Sequence, residues 1–586
     1  MGELARDGFS PGLLSAGVGT VPRLQTEVDI TAGNRVFDSL YDSSLPSSQR
    51  NCPAWWRQVI ERAESAPDEI EPGLLSETLE GAGVSVLARG GASCTFSSPA
   101  KEATASDSPP KKLSGTPRQN ALLKRIEVSE APVAALPSLA RNTGPHDLTI
   151  VISRPTGKTD EPIPIGIAGR GFDGDLTSDT TRTNGYVAST DVAPTILEFF
   201  GAAVPDQMIG QAIRGEGTVD PAAIEARGAR MAVVSSRRGP VIGWSLLAWV
   251  LASLLVVLVA RGLARATVRL LGLSVVYLPV LLLLGSALEP AESPEMLLVM
   301  LGAPLLAAIT LAALRDYRAL AVGAGITVGA YALDAILGSP LSSLSLLGPN
   351  PLLGVRFYGI GNELEALLSV LVVGGIGAGL AGFAPRLSPG RCAVVFLVVG
   401  LVCAGIFASG KFGADVGAAI DFPIGVAVAA LVVTGGRRRW ILLVILIPLG
   451  VLALLALADL LTGANSHFTR SVLDAGGLHS LGDTAQRRLE QTARSFVRPV
   501  LLVALPILAI GVLVAVLRRA TLASWVREVP AMRAALIGAV VATIVATVAN
   551  DSGALLLEIG AAYLLVFLGW AWAEGGRSTP GAESPP

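Results

Sequence analysis

Apolar and polar positions change their pattern near Gly239. Before it, charge, Pro, Ser and Gly are mixed as in a water-soluble chain, whereas from Pro240 to Ala573 long uncharged runs alternate with short breaks that carry Arg or acids. A helix needs roughly 20 apolar residues to cross the hydrocarbon core of a bilayer. Eleven windows meet that length: about 240–260, 270–288, 296–314, 319–338, 364–384, 392–409, 416–434, 440–461, 499–517, 532–549 and 553–573. The breaks alternate in charge, with Arg261, Arg265 and Arg269 first, then Glu289, Glu292 and Glu295, then Arg315 and Arg318. Taking the Arg-rich breaks as cytoplasmic gathers Arg386, Arg391, Arg437, Arg438, Arg439, Arg518, Arg519, Arg527, Arg533 and Arg577 on one face. An odd number of spans then predicts a multi-pass plasma-membrane protein. Residues 1–235 form an extracytoplasmic domain, 236–575 the bundle and 576–586 a disordered cytoplasmic tail. The inverted arrangement places most of the bundle's Arg outside and breaks the charge rule.

Within the soluble part, Gly73 to Gly83 reads as a short helix with a Gly stop, and Val84 to Ala88 as a buried strand. A Ser-, Pro- and Lys-rich interval from about Ser97 to Arg118 reads as a surface loop, and Asp147 to Ser153 as a second core strand. Helix followed by strand implies α/β layering. Export of such a domain ahead of the first span needs a signal, and Met1-Gly2-Glu3-Leu4-Ala5-Arg6 has none. The expectation is a start placed too late, with a signal or anchor helix and the first strand of the domain upstream.

Composition adds limits. The chain is 51% apolar and 16% charged, with a formal net charge of −2, so no global field argues for a nucleic-acid partner. Cys52 and Cys94 lie in the soluble part, open to pairing or to being two unrelated thiols, while Cys392 and Cys403 sit in or beside a span. No metal-ligand spacing or cofactor motif appears, so neither a metal nor a cofactor is expected. Asp173, Asp175 and Asp179 share a Gly-bearing loop that fits a divalent cation or, more simply, a solvated turn. His146 stands alone in the soluble part and reads as a surface or capping residue.

The strands Thr149 to Ser153 and Ile163 to Ile167 are followed by Gly185-Tyr186-Val187-Ala188-Ser189-Thr190-Asp191-Val192-Ala193-Pro194-Thr195-Ile196-Leu197-Glu198 and Pro205 to Gly210. In order and wording this stretch resembles the C-terminal part of the alkaline phosphatase and sulfatase superfamily. In active members, the resemblance implies, the first of these strands ends in an Asp-His pair that binds catalytic metal. Here it runs into Ser153-Arg154-Pro155-Thr156-Gly157, with no acid or imidazole, and no segment matches the one that bears the nucleophile. Metal hydrolysis needs such ligands, so a degenerate, non-catalytic domain is expected. The fold class is then an α/β alkaline-phosphatase-like extracytoplasmic domain followed by an all-α bundle of about eleven transmembrane helices.

Charges inside a membrane are costly and therefore informative. The outer ends of the spans carry Asp334, Glu363, Glu365, Asp415, Asp421, Asp459, Asp551 and Glu558. Three outer breaks combine Gly with a carboxylate and an amide, hydroxyl or cation: Arg356 to Glu363, Gly410 to Gly417, and Asn550 to Gly553. Gly permits bent backbone at membrane depth where it lines a cavity or is buried in protein. These wordings resemble a group of bacterial polytopic membrane proteins that pair such a bundle with a phosphatase-like domain. A long outer segment, 463–498, adds His467 and Arg470 and then Arg487, Arg488 and Arg494. Arg recognises phosphate in a bidentate fork and His moves protons near neutral pH; an amphipathic helix lying on anionic lipid explains the same residues. The candidate substrate-binding residues are Arg356, Tyr358, Asn362, Glu363, Lys411, Asp415, His467, Arg470, Asn550 and Asp551. The partners expected are membrane lipid and a phosphate-bearing lipid-linked or glycopolymer substrate, to be bound, transferred or modified. The sequence leaves two alternatives open. One is a transporter coupling ions or protons through Asp334, Asp415 and Glu558, and the other is a non-catalytic envelope scaffold.

Overall fold

The computed structural model describes residues 1–35, 52–64, 70–88, 94–96, 125–154, 157, 161–354, 356–436, 442, 446–454, 501–550 and 553–575. The chain divides into two compact units, Met1–Val233 with Asn350–Phe357, and Val234–Pro349 with Tyr358–Pro586.

In the first unit the elements are α1 (Gly2–Arg6), β1 (Ser10–Ser15), α2 (Arg23–Ala32), α3 (Cys52–Glu64), α4 (Leu74–Gly81), β2 (Ser85–Ala88), β3 (Arg125–Val128), α5 (Leu136–Asn142), β4 (Leu148–Ile152), β5 (Ile163–Gly169), β6 (Asp175–Thr177), β7 (Tyr186–Ala188), α6 (Val192–Phe200) and β8 (Arg214–Glu216). The main sheet has the order β4-β5-β1-β7. β1 runs antiparallel to β5, with Gly12 opposite Ile165, and parallel to β7, with Leu14 beside Val187. The period of two along β5 puts Ile163, Ile165 and Ile167 into the core beside Leu14, Val187 and Val192, while Pro164 faces out. Each such buried aliphatic contributes about 1.5–3 kcal/mol. β2 and β3 form a separate parallel pair, and β6 and β8 an antiparallel one.

The expected strands and helix thus appear at Ser85–Ala88, Leu148–Ile152, Ile163–Gly169 and Leu74–Gly81. β1 was not foreseen, because Ser-Pro-Gly-Leu-Leu-Ser carries two residues that disfavour strands; Pro11 and Gly12 are nonetheless buried here. Cys52 and Cys94 form a disulfide, with Trp55 and Trp56 packed around it and the Trp56 indole donating to the Cys94 carbonyl at 3.1 Å. Of the three loop aspartates, Asp175 is buried and accepts the Asp220 backbone N–H at 3.0 Å, and Asp179 pairs with Arg214 at 2.8 Å. His146 is exposed.

The second unit is helical: α7 (Pro221–Val259, entered from the first unit), α8 (Ala264–Leu288), α9 (Glu292–Ala313), α10 (Tyr317–Ile336), α11 (Asn362–Phe383), α12 (Pro389–Ala408), α13 (Asp421–Val433), α14 (Leu501–Leu517), α15 (Arg519–Trp525), α16 (Pro530–Ala549) and α17 (Gly553–Gly575). Eight of these, α7 to α12 with α16 and α17, are long and apolar enough to cross a membrane, so the chain is a multi-pass membrane protein by length and composition. Two further windows fall short among the described residues: 416–434 yields the shorter apolar helix Gly417–Val433, and 499–517 yields the 17 residues of α14. The window 440–461 lies largely outside the described residues. The first span also begins earlier than its apolar run, since α7 continues from Pro221 through the polar stretch and past Pro240.

α11 is the hub of this unit. Small residues let its neighbours close in: a Cβ on Gly374 would meet the Phe567 ring at 2.5 Å, and one on Gly377 would meet Ala535 at 2.3 Å. α7 and α9 instead expose rows of Leu and Val, including Leu251, Leu254, Leu258, Leu297, Leu301 and Leu305, as a lipid-facing surface requires. At one end of the bundle Arg269 on α8 pairs with Glu574 on α17 at 2.8 Å, and Arg318 donates to the Gly382 carbonyl. The carboxylates of the candidate site lie at the other end.

Candidate functional site

At that second end α10 finishes, α11 begins, α12 finishes, α13 begins, α16 finishes and α17 begins. The loops between them are tied backbone to backbone. Gly359 sits at φ +79°, where a side chain is strained, and a Cβ there would lie 2.0 Å from the Gly413 carbonyl oxygen. The Ile360 N–H donates to that same carbonyl at 3.0 Å, and the Gly359 N–H donates to the Ser339 hydroxyl at 2.8 Å. Asp334, at the end of α10, fixes the start of this loop by accepting the Leu341 and Ser342 N–H groups at 3.0 and 2.9 Å. Its carboxylate is thus occupied in holding backbone.

The first turn of α11 carries Asn362, Glu363 and Glu365. Glu365 is fully buried; the Asn550 amide donates to its Oε2 at 2.9 Å and lies 3.4 Å from the Asn362 side-chain oxygen. Its Oε1 presses on Gly417, where a Cβ would come within 2.0 Å. Asp415, also buried, accepts the Ala418 N–H at 3.2 Å and so caps the short 3-10 turn Gly417–Ala419 that leads into α13. Asp421, the first residue of α13, is fully buried as well. Glu363 points differently: Arg238 of α7 donates to it at 2.9 Å and to the Gly348 carbonyl at 2.7 Å, while Arg237 pairs with the buried Glu295 at 3.0 Å.

The structure therefore brings Asn362, Asp415 and Asn550 together around Glu365, with Glu363 at the rim. Lys411 is exposed on the loop beside them, its ammonium 6.0 Å from the Phe412 ring centroid, and Tyr358 is half-buried in the same unit. Arg356 is not among them, because Asn350–Phe357 packs with the first unit. His467, Arg470 and Asp551 lie outside the described residues. Two partners escaped the sequence reading: Arg237 and Arg238, which precede the first apolar run, hold acids of α9 and α11. Glu365 was seen only as one acid in a belt. Its place at i+3 from Asn362 on a helix entry was the available signal.

The first unit holds a second polar cluster. The Asp191 carboxylate is buried and accepts four donors: the Ser178 and Thr180 hydroxyls at 2.6 and 2.5 Å and the Ala188 and Gln211 N–H groups at 2.8 and 3.0 Å. Burial pushes its proton affinity up and those donors oppose the rise. The half-buried Arg35, whose guanidinium burial pushes down, is held charged by Asp29, Asp191 and Tyr186 and lies 5.3 Å from the Phe357 ring centroid. The Tyr186 hydroxyl donates to the Pro351 carbonyl at 3.1 Å, so Asn350–Phe357 completes this cluster. Among the described residues no three His, Cys, Asp or Glu side chains gather as metal ligands.

No family model, curated protein or solved structure matches the chain.

Proposed function

We propose that this multi-pass protein acts in the cell envelope, binding the head group of a lipid-linked or glycopolymer substrate at the carboxylate- and amide-lined end of its bundle. The observation that carries this reading is the gathering of Asn362, Glu365, Asp415 and Asn550 from three separate stretches of chain at one end of the bundle. Carboxylates and amides supply the acceptors and donors that hydroxyl-rich head groups need, and Lys411 supplies charge for a phosphate. In this reading the end in question is extracytoplasmic, in keeping with the Arg-rich opposite breaks. The first unit, read as an alkaline-phosphatase-like domain in which no metal-ligand group gathers among the described residues, serves to position the substrate rather than to hydrolyse it.

The test is a set of single replacements, Asn362→Ala, Lys411→Ala and Asn550→Ala, in the full-length protein. Expected is a loss of co-purifying glycolipid or phospholipid by mass spectrometry, with envelope lipid-linked intermediates accumulating in cells. Variants that insert at parental levels and leave both readouts unchanged overturn the reading.

A further inference from the structure

The outer edge of β4, in the first unit, borders a cavity. β4 is the last strand of the order β4-β5-β1-β7, so β5 occupies one of its two sides. The Ser153 N–H donates to the Pro164 carbonyl directly opposite it, which fixes the alternation of the antiparallel pair: Leu148, Ile150 and Ile152 turn their N–H and C=O groups away from β5. Among the described residues no backbone group meets them there. β3 likewise ends a two-stranded sheet, with β2 on one side of it. A cavity of about 2090 Å³ is lined without a break by residues 125–133, which include β3, and by residues 145–154, which include β4. Side chains alternate between the faces of a strand, so a cavity on one face touches every second residue. One that touches every residue meets both strands edge-on.

Helices cover both faces of this gap. Ile30 of α2 and Ile196 of α6 line it on the face that carries Ile150, and Leu4 of α1 with Leu136 and Leu139 of α5 line it on the face that carries Val151. At one end Arg154, just past β4, pairs with Glu130, just past β3, so the gap there is no wider than two side chains reach. An apolar edge without Lys or Pro is a template for pairing, and Leu-Thr-Ile-Val-Ile has neither. A hydrocarbon chain in the gap would leave the edge N–H and C=O groups without partners. A second copy of the sheet, brought edge to edge, would collide with β3. We propose that the gap between β3 and β4 accepts one extended segment of a partner polypeptide, apolar on both faces as a strand covered on both sides must be. Its backbone supplies donors and acceptors to both edges and joins the two sheets in the order β2-β3-partner-β4-β5-β1-β7. The site lies in the first unit and is independent of which head group the bundle binds.

The probe is the peptide fluorescein-Lys-Lys-Val-Thr-Val-Ile-Val-Lys-Lys-amide, added to the full-length protein in nanodiscs with empty nanodiscs as the blank. Expected are saturable binding and, in residue-resolved hydrogen exchange, new protection at Leu148, Ile150 and Ile152 and across 125–128. The same peptide N-methylated at alternate amides keeps its side chains but lacks donors along one edge, and should bind about tenfold more weakly. Ile150→Pro removes an outward N–H and no bond to β5, so it should weaken binding by a similar factor. Should that variant fail to fold, the N-methylated peptide decides alone. Absence of saturable binding, equal binding of the methylated peptide, or binding without new protection at 148–152 overturns the proposal. Protection of the three outward amides in the protein alone overturns it too. At every protein concentration, it means that this chain fills the gap itself; at high concentration only, that a second copy does.

Discussion

Asp191 and Asp421 are both fully enclosed, one in the soluble unit and one in the bundle, and their surroundings treat them in opposite ways. Asp191 is surrounded by four donors from three segments, so its charge is matched by a preformed shell and it serves as a structural pin for β7, α6 and the 205–213 loop. Asp421 has the Phe422 backbone N–H on one oxygen and no hydrogen-bond partner on the other. A donor-saturated acid is satisfied within the fold, whereas a donor-poor one keeps a desolvated oxygen at a cost in stability.

The largest effect that tests this contrast is expected at Asp191. Asp191→Ala strands two hydroxyls and two N–H groups in the interior, at a cost of about 4 kcal/mol. Hydrogen exchange on the full-length protein should show protection collapsing across 178–213 while the helices of the bundle keep theirs. Unchanged exchange there would mean that the four donors find other partners, and the contrast would fail at its structural end.

Next in size is Gly359→Ala, which sharpens the other side of the comparison by asking whether the loops at the acidic end are rigid. The added Cβ meets the Gly413 carbonyl at 2.0 Å on a backbone at φ +79°, so strain and overpacking together cost about 3 kcal/mol. A clear fall in the thermal midpoint is expected, along with the loss of glycolipid co-purification. A full midpoint with binding lost would show that the loops shift freely and that the site is assembled by its ligand.

Asn550→Ala follows, at about 2 kcal/mol, because Glu365 loses the amide that donates at 2.9 Å. Asn550→Asp should cost more than Asn550→Ala, since it sets a carboxylate against a carboxylate; equal midpoints for the two would show that Glu365 is already protonated or paired elsewhere.

These particular residues show what a sequence can and cannot display. The eight long spans were visible because twenty apolar residues in a row have few other uses. β4 and β5 were visible from their β-branched runs, but β1 was hidden by Pro11 and Gly12, whose burial is a property of the finished sheet. The polar start of α7 was hidden too, since helix continuity through 221–239 depends on packing rather than on apolar content. The acids at one end of the bundle were legible as a belt from charge alternation. Which acid is capped, paired or donor-poor was not, because Asp334, Asp415 and Asp421 look alike until their N–H donors are placed. The membership of Asn350–Phe357 in the first unit was equally invisible, as it rests on Tyr186, Arg35 and Gly17, far away in sequence.

The smallest effect expected is at Arg238, and it bears on how the donor-poor site is framed. Arg238 and Glu363 are about a quarter exposed, 27% and 23%, so solvent screens their attraction and Arg238→Ala should cost about 1 kcal/mol. What it removes is geometric: the same guanidinium also holds the Gly348 carbonyl, and so ties α7 to the loop that ends at Gly361. Arg238→Ala should therefore leave the thermal midpoint almost unmoved yet raise hydrogen exchange at 339–361. Arg238→Lys, which keeps the charge but reaches only one of the two acceptors, should restore part of that protection. If Arg238→Ala leaves exchange at 339–361 as in the parent, the Gly359 to Gly413 contact alone holds the loop. The arginine would then be a rim charge free to meet a phosphate.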